Sequence, residues 1–260
     1  MPGRDPSRRL LRALGFVALS VPLVAQRASP TPHEDASEIA NRLVSMYEEW
    51  GPRQNSPNAS LELREFARRG RFVKYRIYAH GMRADAIYSI LELPVTQTIP
   101  TVSLSGVTLN ASGLAVCAGK PGTCGRPNKP DDPISLTFLP APGEPFRIAL
   151  VSGENWKAYA TVVPDPIEAE ESGCLLDVIV LTPRAELVLI EAYGLANDEQ
   201  ATLLTESYSE THGTTITADS VGHYQGAILP FVRGKTGGTT HVMLKAANCS
   251  PSLDFAWGSR

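Results

Sequence analysis

The chain resembles itself, and that constrains its fold more than any other feature. His80-Gly81-Met82-Arg83-Ala84-Asp85 follows the alternating stretch Val73-Lys74-Tyr75-Arg76-Ile77, and it returns as Tyr193-Gly194-Leu195-Ala196-Asn197-Asp198 after Leu187-Val188-Leu189-Ile190, 113 residues on (194 − 81). Gly106-Val107-Thr108-Leu109-Asn110-Ala111 reappears as Gly213-Thr214-Thr215-Ile216-Thr217-Ala218, 107 residues on (213 − 106). A period of about a hundred residues is the size of an ordinary domain, so the 260 residues read as two copies of one strand-rich module.

Short alternating runs fill both copies. The first strong one is Phe72 to Ala79, with Val73, Tyr75 and Ile77 on one face and Lys74 and Arg76 on the other. Further strands are expected at Ala86–Leu93, Thr101–Leu104, Leu114–Ala118, Ile134–Leu139, Phe146–Val151 and Trp156–Val163. In the second copy they are expected at Leu175–Leu181, Ala185–Tyr193, Gln200–Glu206, Thr214–Thr217, His223–Leu229, Thr239–Lys245 and Leu253–Trp257. Turns of Gly, Pro, Asn and Asp between such strands predict antiparallel sandwiches. Gly81 and Gly194 each end a strand before a polar turn, where a positive φ favours a residue without a Cβ. Asp85 and Asp198 read as turn residues bonded to nearby backbone.

The first 25 residues read as a signal peptide: Arg8, Arg9 and Arg12 precede the apolar run Ala13 to Ala25, too short to span a bilayer. A proline-, serine- and threonine-rich leader follows, Arg27 to His33. Ile39, Leu43, Met46, Tyr47 and Trp50, at three- and four-residue steps, then predict an amphipathic helix packed on the first module or capping a sheet edge, ended by Gly51-Pro52. Leader and helix together occupy 26–60, the first sandwich 61–166 and the second 173–260. The acidic segment Pro164 to Gly173 reads as the linker between them.

Four cysteines fit an oxidising compartment and allow three connectivities. The favoured one joins Cys117 to Cys124 across a Gly/Pro-rich loop, and Cys174 to Cys249 across the second module. Their spacing lacks the close pairs of structural zinc sites.

The strand ending in a Tyr/His-Gly-hydrophobic turn with a following Asp, the Gly-x-Thr-Leu/Ile-x-Ala strand, and Asp219-Ser220-Val221-Gly222-His223-Tyr224 resemble bacterial extracellular immunoglobulin-like domains. The second copy is most similar to the IPT/TIG subgroup, and Ser252 to Gly258 looks like the last strand of such a domain. The resemblance runs from about Leu61 to Gly258. It implies two tandem immunoglobulin-like β-sandwich domains in an all-β chain, and binding, spacing or adhesion rather than catalysis.

The search for chemistry assigns no catalytic residue and no cofactor. No Gly-x-Ser-x-Gly elbow marks a serine nucleophile. His80, His212, His223 and His241 lack the His-Glu-x-x-His spacing of a metal helix. Asp131-Asp132 and Glu170-Glu171 are adjacent acids without an indicated cleft. Gly234-Lys235-Thr236-Gly237-Gly238 lacks the upstream glycine of a phosphate loop and reads as a hairpin turn. One metal hypothesis stands: calcium held by Asp165, Glu168, Glu170 and Glu171 at the module boundary. Asn58, Asn110 and Asn248 head glycosylation-type triplets. A net charge of −3 with scattered aromatics argues against nucleic acid as a partner. The expectation is a secreted or periplasmic, non-catalytic protein with a protein or glycan partner at the cell surface and no stable membrane span; the rival is a subunit acting on extracellular polymers through an inter-domain cleft.

Overall fold

The computed structural model describes residues 36–119, 124, 132–153 and 155–258. The expected signal peptide 1–25 and the leader lie outside the described residues, as do Lys120 to Thr123 and Gly125 to Asp131. The chain is mostly β, with α1 (Ala36–Glu49) ahead of sixteen strands among the described residues.

The first half holds β1 (Ser60–Arg69), β2 (Phe72–His80), β3 (Tyr88–Glu92), β4 (Thr101–Leu109), β5 (Ala115–Cys117), β6 (Ser135–Phe138), β7 (Phe146–Val151) and β8 (Lys157–Val162). They form two antiparallel sheets, ordered β1-β2-β6 and β5-β4-β3-β7-β8. Alternation along β2 buries Val73, Tyr75 and Ile77 against Tyr88, Ile90, Val107, Ile148 and Leu150 of the facing sheet, so the two sheets share one core. Each such side chain, fully buried, contributes about 1.5–3 kcal/mol.

The second half holds β9 (Ile167–Glu171), β10 (Cys174–Val180), β11 (Val188–Tyr193), β12 (Gln200–Ser207), β13 (Glu210–Thr217), β14 (Tyr224–Ile228), β15 (Gly237–Lys245) and β16 (Ser252–Gly258). Their orders are β14-β11-β10-β9 and β13-β12-β15-β16. Leu176, Val178, Val188 and Ile190 of one sheet meet Leu203, Val242, Leu244, Phe255 and Trp257 of the other.

The two topologies superpose strand for strand. β1-β2-β6 corresponds to β10-β11-β14, and β4-β3-β7-β8 to β13-β12-β15-β16. The sequence echo marks equivalent turns. Gly81 (φ +64) leaves β2 and Gly194 (φ +81) leaves β11; a Cβ would overlap the Asn58 carbonyl in the first and the Gly173 carbonyl in the second, each just ahead of the adjacent strand. A second equivalence follows the fourth strand. Asn110 Oδ1 accepts from the N–H groups of Ser112 and Leu114, as Asp219 Oδ1 does from Val221 and His223, and Gly113 N and Gly222 N donate to the carbonyls of Asn110 and Asp219.

Three features differ from expectation. Ser60–Arg69 is a strand, paired along β2 with a register shift between Glu65 and Ala67. The acidic stretch taken for a linker contains β9, paired with β10 from Glu171↔Cys174 to Ile167↔Val178: Ile167 and Ala169 provide the half-buried face, and the acids suit an open edge. The helix and Trp50 just past its end together rest on both halves rather than on the first alone. Leu43, Val44 and Tyr47 pack on Ile179, Leu181, Leu187 and Leu189, while Trp50 packs on Leu93 and Ala149 with its ring 5.2 Å edge-on from Tyr159. The halves also touch directly, because Val180 N donates to Gly143 O (2.8 Å) and Gly143 N to Asp165 O (2.7 Å). The described residues from Ala36 onward belong to one compact unit.

Cys117 is bonded to Cys124 and Cys174 to Cys249, with Cα separations of 5.9 and 6.1 Å. No helix among the described residues is long and apolar enough to cross a membrane.

Candidate functional site

The outward face of the β10–β11 pair is unusual for a sheet face opposite a core. Ile179 and Leu189 lie under α1, and one residue pair further along the same face the chain places Asp177 opposite Glu191. The row continues across the sheet, Glu168↔Asp177↔Glu191↔Gln225, putting three carboxylates on adjacent strands. Like charges directly opposite one another are unfavourable, more so where water is partly excluded.

The neighbours answer that cost unevenly. Glu191 is satisfied on both oxygens: Tyr193 Oη donates to Oε2 (2.8 Å) and Gln225 Nε2 to Oε1 (2.9 Å). Asp177 Oδ1 is buried and has no hydrogen-bond partner among the described residues. Burial first, then the nearby Glu191 and Glu168 carboxylates, push the Asp177 carboxyl up to about 6. The Tyr47 phenol, brought in by α1, is raised well above the ordinary range, chiefly by burial and then by Glu191. Tyr193 is raised by burial and by its bond to Glu191. Arg147 of β7 is the buried cation here. Its Nε donates to Leu93 O (3.0 Å), and burial lowers its pKa against the opposing pull of Tyr47 and Glu144.

His223, at the entry to β14, stacks on Tyr193 with ring centroids 4.5 Å apart; its Nδ1 is 3.7 Å from Asp219, and its buried Nε2 has no partner among the described residues. Beside it opens a cavity of about 270 Å³ lined by Tyr47, Glu48, Arg53, Thr161, His223 and Gln225. A neighbouring cavity of about 470 Å³ is walled by Met46, Trp50, Gln54, Leu93 and Tyr159. Chemically, the junction offers a carboxyl that gains a proton in mild acid, two phenols that stay protonated, and an imidazole at the cavity wall.

The acids chosen from sequence are only partly gathered. Glu168 joins the row beside Asp177, and Glu170 shares its face opposite Leu175. Glu171 pairs with Cys174 at the strand end, Asp165 lies in the turn before β9, and all four side chains are exposed. Among the described residues no three His, Cys, Asp or Glu side chains converge to hold a metal ion. Asp132 is described and Asp131 is not. Asp85 is held by the Arg83 guanidinium (2.6 and 3.0 Å) in its own turn, and Asp198 takes a positive φ of 56° with its N–H on Asp219 O. The other described histidines stay apart: His80 beside Glu62, His212 beside Glu210, and His241 Nδ1 2.8 Å from Asp254. Lys235 reaches over the Tyr208 ring from the turn that opens β15. The residues the sequence search missed are Asp177, Glu191, Tyr193 and Tyr47. Their signal was a single acid inside each of two apolar strands, Leu-Leu-Asp-Val-Ile-Val and Val-Leu-Ile-Glu-Ala-Tyr.

No family model matches the chain, and no curated protein matches it.

Proposed function

We propose that this chain is an exported, non-catalytic binding or structural protein of the bacterial cell envelope, built from two tandem immunoglobulin-like sandwiches of the IPT/TIG type. The strand orders support this reading: in each half two antiparallel sheets face each other, and the last two strands form a hairpin that pairs beside the third shared strand, as in the CFG sheet of immunoglobulin-like sandwiches. Two disulfides agree with an oxidising compartment. The observation that carries the reading is the helix. With Leu43, Val44 and Tyr47 of α1 packed on one sandwich and Trp50, just past its end, on the other, this segment bridges the two modules, and the loops at their ends offer surfaces for a partner. Both carboxylate oxygens of Glu191 are taken up by Tyr193 and Gln225. Incubation with isolated envelope, protein and glycan fractions tests it: saturable binding with the partner recovered unchanged is expected, and steady release of new sugar ends or peptides overturns it.

One observation favours the second reading, catalysis on an extracellular polymer in the inter-module cleft. Asp177, raised to about 6, stands in the same cluster as Tyr193 and the cavity-lining His223, a combination suited to proton transfer. Asp177→Asn separates the two. Under the binding reading it leaves partner capture intact; under the catalytic reading it abolishes turnover.

A further inference from the structure

The equivalent strands β4 and β13 differ in what occupies their outer edges. In the first half, β5 pairs with β4 from Val107↔Cys117 to Leu109↔Ala115, and Cys124 N, tethered through its disulfide, donates to Ser105 O (2.9 Å). In the second half, among the described residues, β13 pairs with β12 alone and ends its sheet. Open edges are normally blunted by bulges, prolines, clustered charge or shortness. β1 has a register shift with Arg64, Arg68 and Arg69, and β9 is short and acidic. β13 has none of these: eight residues, Glu-Thr-His-Gly-Thr-Thr-Ile-Thr, in unbroken register, without lysine, arginine or proline.

We infer that the β13 edge is a strand-addition surface, and that its occupant is the β13 edge of a second copy of this chain, related by a two-fold axis at Thr214. The hydrogen-bond pattern selects this register. Ser207↔Glu210 closes the two-residue turn Tyr208-Ser209, so Glu210, His212, Thr214 and Ile216 direct their backbone groups to β12, and Thr211, Gly213, Thr215 and Thr217 direct theirs outward. Antiparallel pairing of two outward sets about Thr214 sets Thr211 against Thr217 and Gly213 against Thr215, using the whole edge. Charge permits it as well: Glu210 then faces Ala218 and His212 faces Ile216, so no like charges oppose. Apolar surface flanks the ladder, since Leu229 and Phe231, each 43% exposed, border a crevice with Glu210 and His212. The result is a continuous eight-stranded sheet shared by two copies.

Light scattering and sedimentation of the full exported chain over a concentration series test this. The expected result is a reversible dimer. Thr215→Pro, which deletes an outward N–H, is expected to be monomeric with an unchanged melting temperature. Thr214→Lys and Thr214→Glu, at an exposed position on the axis, are each expected to be monomeric, and an equal mixture of the two is expected to regain the dimer; this rescue holds even if the proline variant fails to fold. A wild-type chain that is monomeric throughout, a monomer that instead protects its β13 amides by binding an extended peptide, or a dimer indifferent to Thr214→Lys overturns the assignment.

Discussion

The two halves share seven strands in the same order and differ at the margins. The first adds β5 and a disulfide-closed excursion beside β4; the second adds β9 beside β10 and, among the described residues, leaves β13 at the end of its sheet. The shared parts are those that close the sandwich: the post-strand glycine against the neighbouring strand's entry, and the Asn/Asp turn whose side chain accepts two backbone N–H groups. The two halves therefore agree in the turns, which geometry dictates, and differ at the sheet edges.

The disulfides break the symmetry most strongly. Cys174–Cys249 spans 75 residues of sequence and Cys117–Cys124 spans 7. On the loop-closure model their loss costs about 4 and about 2 kcal/mol respectively. Replacing each pair by alanine and measuring denaturant midpoints should show the second-half pair to be the larger by roughly a factor of two. Equal losses would mean that native-state packing around each bridge, rather than loop-closure entropy in the unfolded chain, sets the contribution.

The glycines should behave alike where the disulfides do not. Gly81→Ala and Gly194→Ala each demand a left-handed φ of a residue with a Cβ and drive that Cβ into a carbonyl, so each is expected to cost about 3 kcal/mol. Gly70→Ala isolates the backbone part, because its φ is +59 with open space where the Cβ would go; about 1 kcal/mol is expected there. Chemical denaturation of the three variants checks the equivalence, which fails if Gly81 and Gly194 differ by more than the Gly70 effect.

Strands that bury one face against a core were legible as alternation: Val73, Tyr75 and Ile77, or Leu176, Val178 and Val180. β1 and β9 were not. Beyond Leu63 the chain of β1 is exposed, and β9 hides only Ile167 and Ala169 partway, so edge strands leave little periodicity to detect. The junction cluster was hidden for another reason. Asp177 and Glu191 lie 14 residues apart in sequence (191 − 177) and become neighbours only through the β10–β11 register, and nothing local to them announces that α1 covers the face they share. Helical spacing predicted α1 itself, but Tyr47 and Trp50 serve different halves, which an apolar stripe alone does not reveal.

The smallest expected effect separates the paired turns by charge alone. Asn110 and Asp219 occupy the same position and accept the same two backbone N–H bonds, yet only Asp219 titrates. The N–H groups of His223 and Val221 hold its carboxyl below the usual range. A depressed folded-state pKa gives stability that is present above the unfolded value, about 3.9, and is lost as pH falls through the folded one. Asp177 works in the opposite sense: its pKa, raised to about 6, means that stability declines as pH rises from about 4 to 6. Exchanging the turn residues isolates the first of these. Asp219→Asn should melt like the wild type near neutrality and lose less on acidification to about pH 3, and Asn110→Asp should lose more, because the turn in the first half then acquires a carboxylate that acid discharges. Melting curves at the two pH values decide it; if both variants keep the wild-type acid response, the Asp219 turn is not a source of the protein's acid sensitivity, and its charge does not set the two turns apart in stability.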